Sequence, residues 1–220
     1  MAIILNIDTA TAVASINLAN NGELISSRVN AVQKDHAAFL HVSIKEMLLK
    51  ENLNVDMLSA IAVTEGPGSY TGLRIGMAAA KGIAYAKDLP LITCSSLLCL
   101  AGSVKNKIKD ELTLICPMID ARRMEVFMAL YDEQLNEIIS PRAMILDKQS
   151  LAEWFEKKII FTGNGSEKFE PVFGGRQGEF FPETDIRSAF GSLSYHKFLS
   201  KDFADLAYAV PTYIKEFQST

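Results

Sequence analysis

Gly66-Pro67-Gly68-Ser69-Tyr70-Thr71-Gly72-Leu73-Arg74-Ile75-Gly76 joins two segments of different character. Before it, Ala60 to Val63 is a short apolar run of the kind that forms a buried strand. After it, Thr71 to Ala86 is a largely apolar stretch of helical length. Glycine permits a tight turn, and Ser69 or Thr71 is placed to cap the free N–H groups of the first helical turn. A helix N-terminus behind a Gly-rich turn is also a natural anion site. Two readings follow, a phosphate loop or a strand-to-helix joint whose glycines serve geometry alone, and the rest of the chain must separate them.

Upstream, Ala2 to Ile7 is an apolar run ending at Asp8. Val13 to Ala19 alternates, with Ala14, Ile16 and Leu18 on one face and Ser15 and Asn17 on the other. Asn20-Asn21-Gly22 signals a hairpin into Glu23 to Val29. A helix over about 35–52, with Asp35 at its N-cap, keeps Leu40, Ile44, Met47 and Leu48 at helical spacing. Downstream, Leu91 to Cys94 reads as a strand, and Ser95 or Ser96 opens a helix running to about Lys105. Three strands, then helix, strand, helix, strand and helix is the order of a ribonuclease-H-like unit. It predicts a mixed sheet covered on both faces.

The second half echoes the first. Ile7-Asp8 returns as Ile119-Asp120, and at the same offset the alternating Val13 to Leu18 meets Glu125 to Leu130. Glu23-Leu24-Ile25 matches Glu137-Ile138-Ile139 if the second hairpin is two residues longer. A helical segment over 151–157 precedes the strand Ile159 to Thr162, and Gly163-Asn164-Gly165-Ser166 repeats Gly66-Pro67-Gly68-Ser69. A repeat of this kind is decided before the fold is. The expectation is an α/β protein of two ribonuclease-H-like lobes, in the architecture shared by acetate and sugar kinases, heat-shock chaperones and actin (the actin-like ATPase, or ASKHA, fold). The lobes span 1–106 and 107–220, with residues from about 211 returning to the first. Pro171, Gly174, Gly175, Gly178 and Pro182 make 168–185 look irregular, so the second lobe is expected to be shortened or irregular.

The chain has 220 residues, 49% hydrophobic and 22% charged, with a formal net charge of −4. That balance argues against the chain gripping a nucleic-acid backbone alone. No basic leader precedes Ile3 to Leu5 and no apolar run approaches membrane length, so a cytoplasmic protein is expected. Cys94, Cys99 and Cys116 lack Cys-x-x-Cys spacing and read as buried apolar residues of a reducing compartment.

Several residues could carry chemistry. Proteins of this architecture bind ATP between lobes, with an acidic, small-residue loop after the first strand against the phosphates. Asp8, Thr9 and Thr11, with Asp120, are the nucleotide-binding candidates, although the Asp8-Thr9-Ala10-Thr11 loop lacks glycine. Asp8 and Asp120 could hold Mg²⁺, or both could simply cap turns. A small ATP-dependent kinase or ATPase is therefore the alternative enzyme reading. A nuclease would instead cluster Asp8, Glu46 and Glu65 around two metal ions. The acidic balance and the absence of a basic substrate surface oppose that. His36 and His41 stand five apart, wrong for a shared ligand face on a helix, and His196 is alone, so no metal site is expected. Arg122-Arg123 could meet an anion or be solvated. Gly72, Gly76 and Ala80 lie four apart, with Ile75, Ala79 and Ile83 beside them, while Ala38, Val42 and Leu49 extend the apolar face of the preceding helix. These helices are either deeply internal or dock another helix.

Ile7-Asp8-Thr9-Ala10-Thr11, Gly66 to Gly76, Asp120-Ala121-Arg122-Arg123-Met124-Glu125-Val126-Phe127, Gly163-Asn164-Gly165 and Pro211-Thr212-Tyr213-Ile214-Lys215 closely resemble the bacterial TsaB (YeaZ) family of tRNA threonylcarbamoyladenosine biosynthesis proteins. The resemblance covers nearly the whole chain. It implies a non-catalytic scaffold or activating subunit, with no cofactor of its own and no catalytic residue. Its partners are a TsaD-like catalytic paralogue and a TsaE-like ATPase, and it meets tRNA only through the complex. The paralogue's metal motif, two histidines four apart, is absent from this chain. The resemblance further implies docking through the first-lobe helices at Ala38, Val42, Leu49, Gly72, Ile75, Gly76, Ala79, Ala80 and Ile83. The same face would form a homodimer when the chain is alone.

Overall fold

A computed structural model describes all residues except 32–34, 109–111, 155, 175–176 and 215–220. Strands β1 (Ile3–Asp8), β2 (Ala14–Asn20) and β3 (Glu23–Asn30) open the chain. Helix α1 (His36–Lys50), β4 (Ala60–Gly66), α2 (Tyr70–Lys87), β5 (Leu91–Ser95) and α3 (Ser96–Ser103) follow. The second half builds β6 (Leu114–Asp120), β7 (Glu125–Tyr131), β8 (Glu137–Ile145), β9 (Ile159–Thr162), α4 (Ser166–Phe173), β10 (Gly178–Phe181) and α5 (Arg187–Leu199). Asp35 occupies the α1 N-cap position, but its side chain makes no capping bond. The Ser69 hydroxyl caps α2 by accepting from the Gly72 N–H at 3.3 Å.

Two five-stranded sheets carry the same topology, in the orders β3-β2-β1-β4-β5 and β10-β9-β6-β7-β8. In each, the first three strands are antiparallel and the last two join parallel to the central strand. The repeat inferred from Ile7-Asp8 and Ile119-Asp120 is therefore real, since both pairs close a central strand. Its register refines the match: Asp8 faces Ser15, whereas Asp120 faces Val126, one residue sooner. The following hairpin runs from Asn20 to Glu23 in the first half and from Tyr131 to Glu137 in the second, three residues longer. The net insertion is the two residues expected.

Two expectations need correction. The segment 168–185 is regular over much of its length. Phe169 and Phe173 of α4 pack on Phe161 of β9, with ring centroids 5.3 and 4.9 Å away. Pro171 is exposed inside α4, Gly174 ends it in the left-handed conformation, and Gly178 starts β10 where a side chain would strike the Phe173 ring. The breakers thus mark a helix end and a strand start; Gly175 lies outside the described residues. The second sheet is complete, and what is shortened is the α1 counterpart, reduced to a 3₁₀ turn at Ala152–Trp154.

The Ser15–Asn17 face of β2 is covered, in line with the expected sheet covered on both faces: both residues are buried, as is Asn6 on β1. Helix α5 covers that face, with Gly191 close against Ala19 and Arg187 donating to Ser27 Oγ at 2.7 Å.

The boundary also moves. One compact unit comprises Met1–Ser96 with Arg187–Thr212, and the other contains Leu97–Ile186. Residues return to the first unit from Arg187, well before 211, because α5 packs on β1, β2, β3 and β5. Conversely, Leu97, Leu100 and Ala101 of α3, with Val104 just beyond it, join Ile115, Ile119, Ala129 and Ile160 in a core of the second unit. Each repeat lends its last helix to the other's sheet.

Candidate functional site

In the first unit, β1 delivers Asp8 to the start of a loop that folds back on the β4–α2 joint. The Asp8 carboxylate accepts from the Thr64 hydroxyl at 2.7 Å and from the Ala10 N–H at 3.1 Å. Burial raises its pKa, while those two hydrogen bonds and the nearby His36 pull it down. Thr9 is wholly buried and its hydroxyl donates to the Gly72 carbonyl at 2.7 Å. The Ser69 N–H donates to the Ala10 carbonyl at 2.6 Å. Thr11 is half-buried, and its hydroxyl closes a local turn with Val13. The loop's polar groups are thus committed to the chain itself.

The glycines of the joint explain the closeness. A Cβ on Gly68 would fall on the Ala10 carbonyl, one on Gly72 on the Thr9 carbonyl, and one on Gly76 on the Thr9 hydroxyl. Gly66 has φ +118°, a backbone conformation that disfavours any other residue. Of the two readings of Gly66 to Gly76, the geometric joint is the one these contacts support.

The same contacts change the picture of the helical face. Gly72, Gly76, Ala79 and Ala80 are buried in the first unit, so they cannot present themselves on its surface. The small residues let α2 sit down on the Thr9 loop and the sheet. A second stripe of small residues, Ala78, Gly82 and Ala86, runs along the exposed side of α2 at four-residue spacing. A Cβ on Gly82 would meet nothing within 4 Å. Tyr85 stands beside this stripe at 81% exposure, and Ile75 and Ile83 are half-buried. On α1, which packs against α2, Ala38 is exposed, Val42 is 58% exposed and Leu49 65%. The exposed stripe was legible in the sequence as a four-residue repeat; it runs beside Ile75, which the sequence reading selected, while the selected Gly72, Gly76, Ala79 and Ala80 lie on the buried side of α2.

In the second unit Asp120 is half exposed and engaged locally. Its Oδ1 accepts from the Arg122 N–H and from Lys168 Nζ, both at 2.6 Å, and its own N–H donates to Asn164. Asp8 and Asp120 belong to different units, each tied within its own. Arg122 and Arg123 at the β6–β7 turn are exposed and adopt φ +72° and +50°. Two consecutive left-handed L-residues cost on the order of 1–2 kcal/mol each.

The nuclease cluster does not assemble: among the described residues no three His, Cys, Asp or Glu side chains lie close enough to share a metal ion. Glu46 is exposed on α1, and the Glu65 backbone carbonyl accepts from the Thr212 N–H. His36 is buried with Nε2 3.3 Å from the Thr11 carbonyl and Nδ1 unpartnered, whereas His41 and His196 are exposed. All three cysteines are buried free thiols, and burial pushes the Cys116 thiol up. No helix among the described residues is long and apolar enough to cross a membrane.

Comparison with known proteins now fits this geometry. Residues 28–216 match the family model described as "TsaD: tRNA N6-adenosine threonylcarbamoyltransferase". The chain is 29% identical to the tRNA threonylcarbamoyladenosine biosynthesis protein TsaB of Bacillus subtilis, over 96% of this chain and 93% of that protein. It is 31% identical to the TsaB of Buchnera aphidicola subsp. Baizongia pistaciae, over 76% of each. Among solved structures, YeaZ from Pseudomonas aeruginosa superposes with a TM-score of 0.84 at 22% identity, over 97% of this chain and 100% of that one. Component A of (R)-2-hydroxyglutaryl-CoA dehydratase from Acidaminococcus fermentans gives 0.54 at 11% identity, over 90% and 99%. The structural matches establish the two-lobed actin-like ATPase fold.

Proposed function

The chain belongs to the TsaD family and resembles its TsaB-named members, and on that premise we propose that it is an accessory, activating subunit in threonylcarbamoyladenosine formation on tRNA. It works beside a TsaD-type catalytic subunit and a TsaE-type ATPase, in the cytoplasm, and places the modification on the adenosine next to the anticodon. It contributes a docking face rather than reacting groups. The observation that carries this reading is the committed state of the loop after β1. Asp8 and Thr9 are buried and bonded to Thr64, Ala10 and Gly72. The Asp8 carboxylate and the Thr9 hydroxyl are thus engaged within the chain rather than offered to a nucleotide's phosphates, which weighs against the kinase or ATPase alternative.

The docking face consists of Ala38, Val42 and Leu49 on α1 with Ile75, Ala78, Gly82, Ile83 and Tyr85 on α2. Exposed apolar side chains beside a small-residue groove suit the apolar face of a partner helix, and a second copy of this chain takes that place when the catalytic subunit is absent. Leu49→Asp and Gly82→Trp alter exposed positions with room around them, so both variants should fold. Co-purification with the catalytic subunit is expected to fall at least tenfold in each. Folded variants that still co-purify fully would refute the face. Calorimetry with Mg-ATP on the isolated chain tests the alternative, and tight binding with turnover would overturn the accessory reading.

A further inference from the structure

The β6–β7 turn is built unlike an ordinary connection. Positions with φ +72° and +50° would normally be filled by Gly, Asn or Asp, yet they carry Arg122 and Arg123. The backbone is held there by the Asp120 carboxylate, which accepts from the Arg122 N–H and is itself neutralised by Lys168. The Glu125 N–H donates to the Arg122 carbonyl at 3.1 Å and closes the turn. Neither guanidinium has an ion pair among the described residues, and both side chains are exposed. Backbone geometry does not ask for arginine at either position, so the side chains must. Guanidinium is weakly hydrated and its fork matches two oxygens of one phosphate.

We propose that Arg122 and Arg123 contact backbone phosphates of the tRNA on which the complex acts, an inference that rests on the function proposed above. At a net charge of −4, two such contacts do not make the chain an RNA-binding protein by itself. Phosphate contacts fix orientation, and the affinity comes from the whole assembly. The fixed turn holds two charges in a set geometry without spending flexible loop.

The test uses the chain reconstituted with its catalytic subunit and an unmodified tRNA transcript, measured by filter binding across a salt series. Arg122→Gly with Arg123→Gly removes both charges at positions whose backbone favours glycine, so Tm should stay or rise. The expected result is about tenfold weaker tRNA binding near 0.1 M salt, and a slope of log affinity against log salt shallower by about 1.5. Co-purification of the partner should be unchanged. Wild-type affinity and slope in the variant would overturn the proposal. Loss of partner binding would overturn it by assigning the pair to protein contact, and loss of Mg-ATP binding in calorimetry would overturn it in favour of a nucleotide. If the wild-type assembly itself bound no tRNA, the proposed function would fall first and this inference with it.

Discussion

Asp8 shows how a residue type common in phosphate sites can be turned to structure. Its carboxylate ties the end of β1 to Thr64 on the neighbouring strand and to the next turn of its own loop. Burial raises its pKa above the ordinary 3.8. From that value up to the raised pKa, the folded chain binds the proton more readily than the unfolded chain, so stability falls as pH rises through the window. Below it Asp8 contributes in full, and above it the cost of the buried charge stands complete. Asp8→Asn keeps an acceptor oxygen for Thr64 and Ala10 but has no charge to bury. In urea unfolding at a series of pH values, wild type should lose stability relative to this variant as pH rises from about 4 toward the raised pKa. A gap that did not change with pH would show that the carboxyl titrates as if exposed.

At the scale of elements, α2 is informative because it carries two stripes of small residues with opposite tasks. Gly72 and Gly76 touch the Thr9 loop so closely that no side chain fits, while Gly82 faces open space. Gly76→Ala should therefore destabilise the chain by about 2–3 kcal/mol, the scale of overpacking. Gly82→Ala should stabilise it by about 0.5–1 kcal/mol through helix propensity. Chemical denaturation decides the matter, and equal signs for the two changes would defeat the assignment of the stripes. The sequence made the four-residue spacing visible but not the choice of stripe, because Ala and Gly carry no label of which side is inner. The side is set by Thr9, more than sixty residues away in the chain. Similarly, a cover over the Ser15 and Asn17 face of β2 was expected, but that α5 supplies it from the far end of the chain is a tertiary fact no local pattern shows. The order of elements along the chain, the joint at Gly66 and the repeat were legible because each rests on local patterns. The turn at Arg122-Arg123 was noticed for its charge, while its left-handed backbone left no trace in residue type.

For the molecule as a whole, the duplication does not make two self-sufficient halves. The first repeat ends with α3, whose Leu97, Leu100 and Ala101 belong to the second unit's core. The second ends with α5, whose buried Phe190, Gly191 and Ser194 lie in the first unit. Beyond α5 the chain stays with that unit: Lys81 Nζ on α2 donates to the carbonyls of Ala207 at 3.1 Å and Ala209 at 2.9 Å. A fragment of residues 1–106 would thus keep every strand of the first sheet yet bare its α5-facing side, including Asn6 and Asn17, and carry an orphaned apolar α3. Leaving several large side chains in water at about 1.5–3 kcal/mol each approaches the whole stability of a small domain. That fragment is expected to be insoluble or to unfold without a cooperative transition. Residues 1–96 joined through a long Gly/Ser linker to 187–212 contain less of the first repeat but all of the first unit, and should give a cooperative urea transition and dispersed amide NMR signals. If 1–106 folded cooperatively and the spliced chain did not, the repeat rather than the exchanged unit would be the folding domain.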